Sequence, residues 1–133
     1  MTIFEKVAAL NLPVGHYVVI GGGPLAAHTI RESHDIDLLV TAELYEKLKA
    51  AGWKEEDWPE GGQYVCYGDI EADTEWSYGS YNPKPEELIK NAEIINGIPF
   101  APLQEVLQWK QAFGRPKDLA DIKLIEAYLL RSN

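Results

Sequence analysis

The sequence predicts an α+β fold, a mixed sheet of about four or five strands with helices packed on it. Three observations carry this reading. Apolar residues recur at helical spacing in several segments. Short β-branched runs end in glycine-marked turns. An Asn-Gly pair, Asn96-Gly97, lies between apolar residues and signals an antiparallel hairpin. Strands and helices mix without the steady βα alternation of a wholly parallel sheet.

The elements follow in order. Ile3, Val7 and Leu10 share a helical face, with Thr2 as N-cap, and Leu12-Pro13 ends that helix. His16 to Ile20 is a short β-branched strand that meets Gly21-Gly22-Gly23. Pro24 suits the first turn of a helix running to about Arg31. Asp35 to Val40 is a second strand. Thr41 caps a helix from Ala42 to Ala51, and Gly52 closes it. Trp53 to Gly62 reads as a loop or irregular strand. Gln63 to Tyr67 and Asp69 to Trp76 read as strands bent at Gly68. Tyr78 to Pro85 is a loop, Glu86 to Ala92 a short helix, and Ile94 to Ile98 the hairpin. Pro102 opens a helix to about Phe113, Gly114 breaks it, and Pro116 starts a last helix to about Leu130. Leu119, Ile122, Ile125 and Leu129 form its expected core stripe.

Length and composition bound the function. The 133 residues suit a single domain, 1–133, and 46% hydrophobic content is enough for a core without disulfides. Cys66 is the single cysteine, so neither an internal disulfide nor a cysteine-based zinc site is available. No secretory leader and no membrane-length apolar run is read, so a reducing, cytoplasmic location is expected. The net charge of −9 disfavours nucleic acid as a partner, and there is no Lys/Arg-rich run to offset it.

The chemistry concentrates in Arg31-Glu32-Ser33-His34-Asp35-Ile36-Asp37-Leu38-Leu39-Val40, just after the glycines. Period-2 alternation puts Asp35 and Asp37 on one strand face. Two carboxylates that close repel unless a cation lies between them. All-oxygen ligation suits Mg²⁺ or Mn²⁺, with substrate phosphates completing the shell. Glycines let a phosphate approach bare backbone N–H groups at a helix start. A lone Asp-x-Asp is more often a solvated strand end. The order strand, Gly-Gly, helix, Asp-x-Asp strand is what makes the pattern specific. A dinucleotide-binding reading of Gly21-Gly22-Gly23-Pro24 fails, because Ala26 holds the final glycine position. His34-Asp35 has too few histidines around it for a phosphohydrolase metal site. Trp53, Trp58, Trp76 and Trp109 are read as packing residues, with base stacking the alternative.

Gly21-Gly22 followed by Arg31-x-Ser33-x-Asp35-Ile36-Asp37 resembles the minimal nucleotidyltransferases of the polymerase-β superfamily, the prokaryotic toxin–antitoxin and abortive-infection type. Lys110…Gly114-Arg115-Pro116-Lys117-Asp118-x-x-Asp121 is similar to a helical signature many of these proteins carry. The resemblance implies a nucleotidyltransferase fold and transfer of an NMP from an NTP, ATP being the expected donor, to a hydroxyl on a protein, RNA or small molecule. It implies Asp35 and Asp37 as metal-binding catalytic residues, with Mg²⁺ or Mn²⁺ as cofactor. It implies Gly21, Gly22, Arg31, Ser33, Lys110, Arg115 and Lys117 as nucleotide-binding residues. It further implies a third carboxylate on a later strand. Asp69, Glu71, Asp73 and Glu75 share one parity, and distance to the next helix favours Asp73, with Glu71 as runner-up. The structural reading of the C-terminal charges is a surface Lys117–Asp121 pair and an Asp118 that steadies a helix N-terminus. A separate protein partner or acceptor is expected. The alternative function is a catalytically inactive protein of this fold that binds, as an antitoxin-like partner or nucleotide sensor.

Overall fold

Where the apolar runs break, the chain turns. The computed structural model describes residues 1–131. Its elements are α1 (Ile3–Ala8), β1 (Tyr17–Ile20), α2 (Gly23–Ala27), β2 (Ile36–Val40), α3 (Ala42–Ala50), β3 (Lys54–Asp57), β4 (Gln63–Tyr67), β5 (Ile70–Asp73), α4 (Pro85–Lys90), β6 (Glu93–Ile95), β7 (Ile98–Phe100), α5 (Leu103–Phe113) and α6 (Pro116–Arg131). The fold class is α+β, as the sequence predicts.

The strands form one mixed sheet in the order β3-β4-β5-β2-β1-β7-β6. β1 runs antiparallel to β2, and β2 runs parallel to β5. Seven strands exceed the four or five expected. The surplus lies at the edges. β3, Lys54-Glu55-Glu56-Asp57, has no apolar alternation, yet it pairs along its whole length with β4. An edge strand needs only one ladder and no buried face, so its sequence carries little signal. The second helix is also shorter than expected. It stops at Ala27, and Thr29 turns the chain with φ of 56°.

The sheet is covered on both faces. Val19, Ile36, Leu38, Val40 and Val65 pack with Val7 of α1 and Leu44 and Leu48 of α3. Val18, Ile20 and Leu39 face the other way, onto Leu25, Leu88, Val106 and Ile125 of α2, α4, α5 and α6. All four β1 residues are therefore buried, which explains the unbroken apolar run.

The hairpin follows the sequence closely. Asn96 and Gly97 both have positive φ, 50° and 78°, as a two-residue type I′ turn requires. Gly97→Ala is expected to lower unfolding free energy by about 1 kcal/mol. Urea unfolding should show a lower midpoint with an unchanged slope.

The last helix departs from its expected stripe. Ile125 is fully buried, but Leu119 is 56% exposed. The inward face at this end of α6 instead carries Asp118 and Asp121, both buried. Leu119 lies about 100° around the helix from Asp118, which turns it to solvent. Two acids on an inward helix face require cations opposite them.

Candidate active site

β1 and β2 are registered so that Ile20 is level with Asp37. The glycine loop therefore begins beside the Asp37 carboxylate. Gly21 has φ of +67°, and a Cβ there would lie 2.5 Å from Asp37 Oδ2. A Cβ on Gly22 would meet Ser33 Oγ at 2.8 Å and Arg31 Nη2 and Nη1 at 3.1 and 3.3 Å. The bare backbone thus passes between a carboxylate on one side and a hydroxyl and guanidinium on the other. Ser33 Oγ donates to the Asp35 carbonyl at 2.9 Å, fixing the turn into β2. The five residues of α2 make a weaker dipole than the longer helix expected there. Gly21→Ala forces a left-handed backbone and displaces Asp37. The midpoint of urea unfolding is expected to fall.

Asp35 is exposed just before β2, and Asp37 is half-buried within it. The parallel β2–β5 register sets Glu71 opposite Asp37 and Asp73 opposite Leu39. Glu71, the runner-up in the sequence reading, is thus the residue level with Asp37, and Asp73 lies two residues further along β5. Asp73 accepts from Trp58 Nε1 at 2.7 Å and from the Glu75 N–H at 3.2 Å. Asp69 pairs with Lys6 at 3.3 Å. Glu71 is flanked by Ile70 and Ala72, both buried, so its strand is anchored beneath it.

The electrostatics follow from this crowding. Burial, then the charges of Glu71 and Asp35, push Asp37 up to about 6, while Lys117 and Lys110 pull the other way. Burial and then the Asp35 charge also raise Glu71, and a hydrogen bond with Asp37 opposes them. As the side chains lie, no three of His, Cys, Asp and Glu among the described residues are drawn into one ligand shell. The donor set is nevertheless all oxygen, excessively negative and anchored on adjacent strands. It fits a hard divalent cation, which would relieve the repulsion that raises Asp37.

Behind the loop stands a buried ionic network. Arg31 grips Asp121 side-on, Nε to Oδ1 at 2.7 Å and Nη2 to Oδ2 at 2.8 Å. Lys110, 4% exposed, reaches Asp121 Oδ2 at 2.9 Å and Asp118 Oδ1 at 3.4 Å. Burial pushes Asp121 up, yet hydrogen bonds from Arg31 and Lys110 outweigh it and hold the acid at about 2. The surface Lys117–Asp121 pair expected from sequence is replaced by these contacts. Lys117 is exposed, and its charge acts on Asp37. Arg115 is engaged structurally. Its Nε and Nη2 bond Asp118 at 2.6 and 3.0 Å, and its guanidinium lies 3.9 Å over the Phe113 ring. Asp118 also accepts from the Arg115 backbone N–H at 3.1 Å, steadying the start of α6 as expected. The tryptophans pack against aromatic neighbours. Trp76 stacks on Trp109, Trp58 on Tyr64, and Trp53 on Tyr67.

The overall architecture is similar to a solved one. The chain has a nucleotidyltransferase fold. Over 96% of its length it superposes on the antibiotic-resistance factor ANT(2'')-Ia, solved in solution, with a TM-score of 0.54, 18% identity and 80% of that chain covered. A crystal structure of ANT(2'')-Ia in complex with adenylyl-2''-tobramycin gives the same TM-score and identity, with 86% of that chain covered. No protein-family model and no curated protein matches the sequence. No helix among the described residues is long and apolar enough to cross a membrane.

Proposed function

We propose that this protein is a metal-dependent nucleotidyltransferase that moves an NMP from an NTP to an acceptor hydroxyl. The observation that carries the proposal is the Asp37 carboxylate beside the glycine loop, with Glu71 level with it on the parallel neighbouring strand and Ser33 and Arg31 on the loop's other flank. The shared fold supports it. The adenylylated tobramycin bound to the similar factor favours ATP as donor and a small-molecule hydroxyl as acceptor. The acidic surface points the same way, away from RNA.

Asp35, Asp37 and Glu71 would hold Mg²⁺ or Mn²⁺. When bound, the cation supplies charge neutralisation of the triphosphate and a lowered pKa for the acceptor hydroxyl. The chain's own residues do the rest. The Gly21–Gly22 backbone admits phosphate oxygens closely. Arg31, Ser33, Lys110 and Lys117 counter and orient the triphosphate. Glu71, raised by burial as Asp37 is, takes the acceptor proton as the acceptor oxygen bonds the α-phosphorus and pyrophosphate leaves. Arg115 holds α5 to α6 through Asp118.

The test is transfer of label from each α-labelled NTP, with Mg²⁺ or Mn²⁺, into protein, RNA and small-molecule fractions of a host lysate. Wild type should label one fraction, and an Asp35→Asn/Asp37→Asn double variant should not. If folded wild type labels no fraction from any NTP, the protein is a non-catalytic binder, an antitoxin-like partner or nucleotide sensor.

A further inference from the structure

Asp121 lies on α6, behind the glycine loop, and belongs to no part of the carboxylate cluster. It is 6% exposed and contacts two cations of the site at once. Arg31 has five N–H donors. Two go to Asp121, and a third, from Nη1, goes to the Glu32 carbonyl at 2.8 Å. The side-on grip leaves two N–H groups, and both Nη atoms face Gly22. Lys110 directs one bond to Asp121 and one to Asp118, which leaves one donor of three. Its charge reaches Asp37, on the other flank of the loop.

We propose that Asp121 is the positioning residue of the triphosphate site. Its single carboxylate sets the Arg31 guanidinium and the Lys110 ammonium in one fixed relation. The remaining Arg31 N–H groups then face the Gly22 side of the loop, where phosphate oxygens would lie, and the Lys110 charge is held where it acts on the Asp37 flank. The C-terminal helix is in this way part of the binding site without touching the ligand. The inference rests on the nucleotide reading above and adds a role to a residue outside the carboxylate site.

The sign of the expected effect separates positioning from simple charge. Asp121 is negative and close to a site for a polyanion. If it were only a neighbour, removing its charge would leave polyanion binding unchanged or tighten it. If it positions Arg31 and Lys110, removing the charge frees both cations and weakens binding.

Calorimetry with Mg²⁺ and either inorganic tripolyphosphate or a non-hydrolysable ATP analogue provides the measurement. Wild type is compared with Asp121→Asn and Asp121→Glu, each checked for folding by circular dichroism. Asp121→Asn is expected to weaken tripolyphosphate binding about tenfold despite the gain of positive charge, since charge-assisted bonds of fixed geometry are lost. Asp121→Glu keeps the charge but extends the carboxylate by one methylene. It is expected to bind more weakly than wild type as well, and it carries the test if Asp121→Asn does not fold. Wild type that binds while both folded variants bind as tightly or more tightly overturns this inference alone. Wild type that binds neither probe overturns the nucleotide reading together with it.

Discussion

Asp37→Asn is expected to abolish transfer while making the metal-free protein more stable. On the proposed function the loss of activity should be roughly 10³-fold, because the variant removes a charge that would hold the cation. The gain in stability follows from the shifted acid. Asp37 is ordinarily ionised above 3.8, but burial and the charges of Glu71 and Asp35 raise it to about 6 in the folded chain. Between these values the folded state holds a proton that the unfolded state has released. Stability contributed by Asp37 is therefore present at pH 4 and lost as pH rises through 6. The shift corresponds to on the order of 3 kcal/mol in the metal-free protein at pH 7. Urea unfolding with chelator present should show stability declining from pH 4 to 7 in wild type and a much flatter profile in Asp37→Asn. Added Mg²⁺ should flatten the wild-type profile, because a cation replaces the proton. A wild-type profile as flat as the variant's would show that the carboxylates are not crowded in solution.

Lys110→Met carries the largest expected cost to the fold. Lys110 joins α5 to α6 through two buried acids, at 2.9 Å from Asp121 and 3.4 Å from Asp118. Methionine keeps the aliphatic length but removes the charge between them. Breaking a buried pair by removing one partner costs about 3–5 kcal/mol. Arg31 and Arg115 still pair the two acids here, so a loss of about 3 kcal/mol is expected. The midpoint of urea unfolding should fall accordingly, and label transfer should fall in the folded fraction too. A loss below about 1 kcal/mol would mean that the network is locally wet and weakly coupled.

What was legible in the sequence differs sharply between elements. Strands β1 and β2 announce themselves because both faces are covered, which demands runs such as Tyr17-Val18-Val19-Ile20. The hairpin does so because Asn96-Gly97 meets a narrow backbone requirement. The Gly21-Gly22 and Asp35/Asp37 pairing is legible because close approach and charge crowding each restrict residue type. β3 was not, since an edge strand asks little of its side chains. Which acid of β5 lies level with Asp37 turns on register, which a single strand does not encode. Flanking residues held a usable sign, however. Glu71 lies between Ile70 and Ala72, both core residues, whereas Asp73 is followed by half-buried Thr74. The role of Asp121 depends on Arg31, ninety residues away. A helical face carrying Asp118 and Asp121 in place of leucine was the available clue that buried cations oppose it.

The most direct measurement is Mn²⁺ binding followed by electron paramagnetic resonance, with and without a non-hydrolysable ATP analogue. It compares wild type with Asp37→Asn, Glu71→Gln and Asp73→Asn. The account predicts that wild type binds Mn²⁺ and that the analogue tightens it. Asp37→Asn and Glu71→Gln should lose that binding, while Asp73→Asn keeps it. Mn²⁺ binding that ignores the nucleotide and survives Asp37→Asn would contradict the account, because the carboxylate cluster would then not be a cation–nucleotide site.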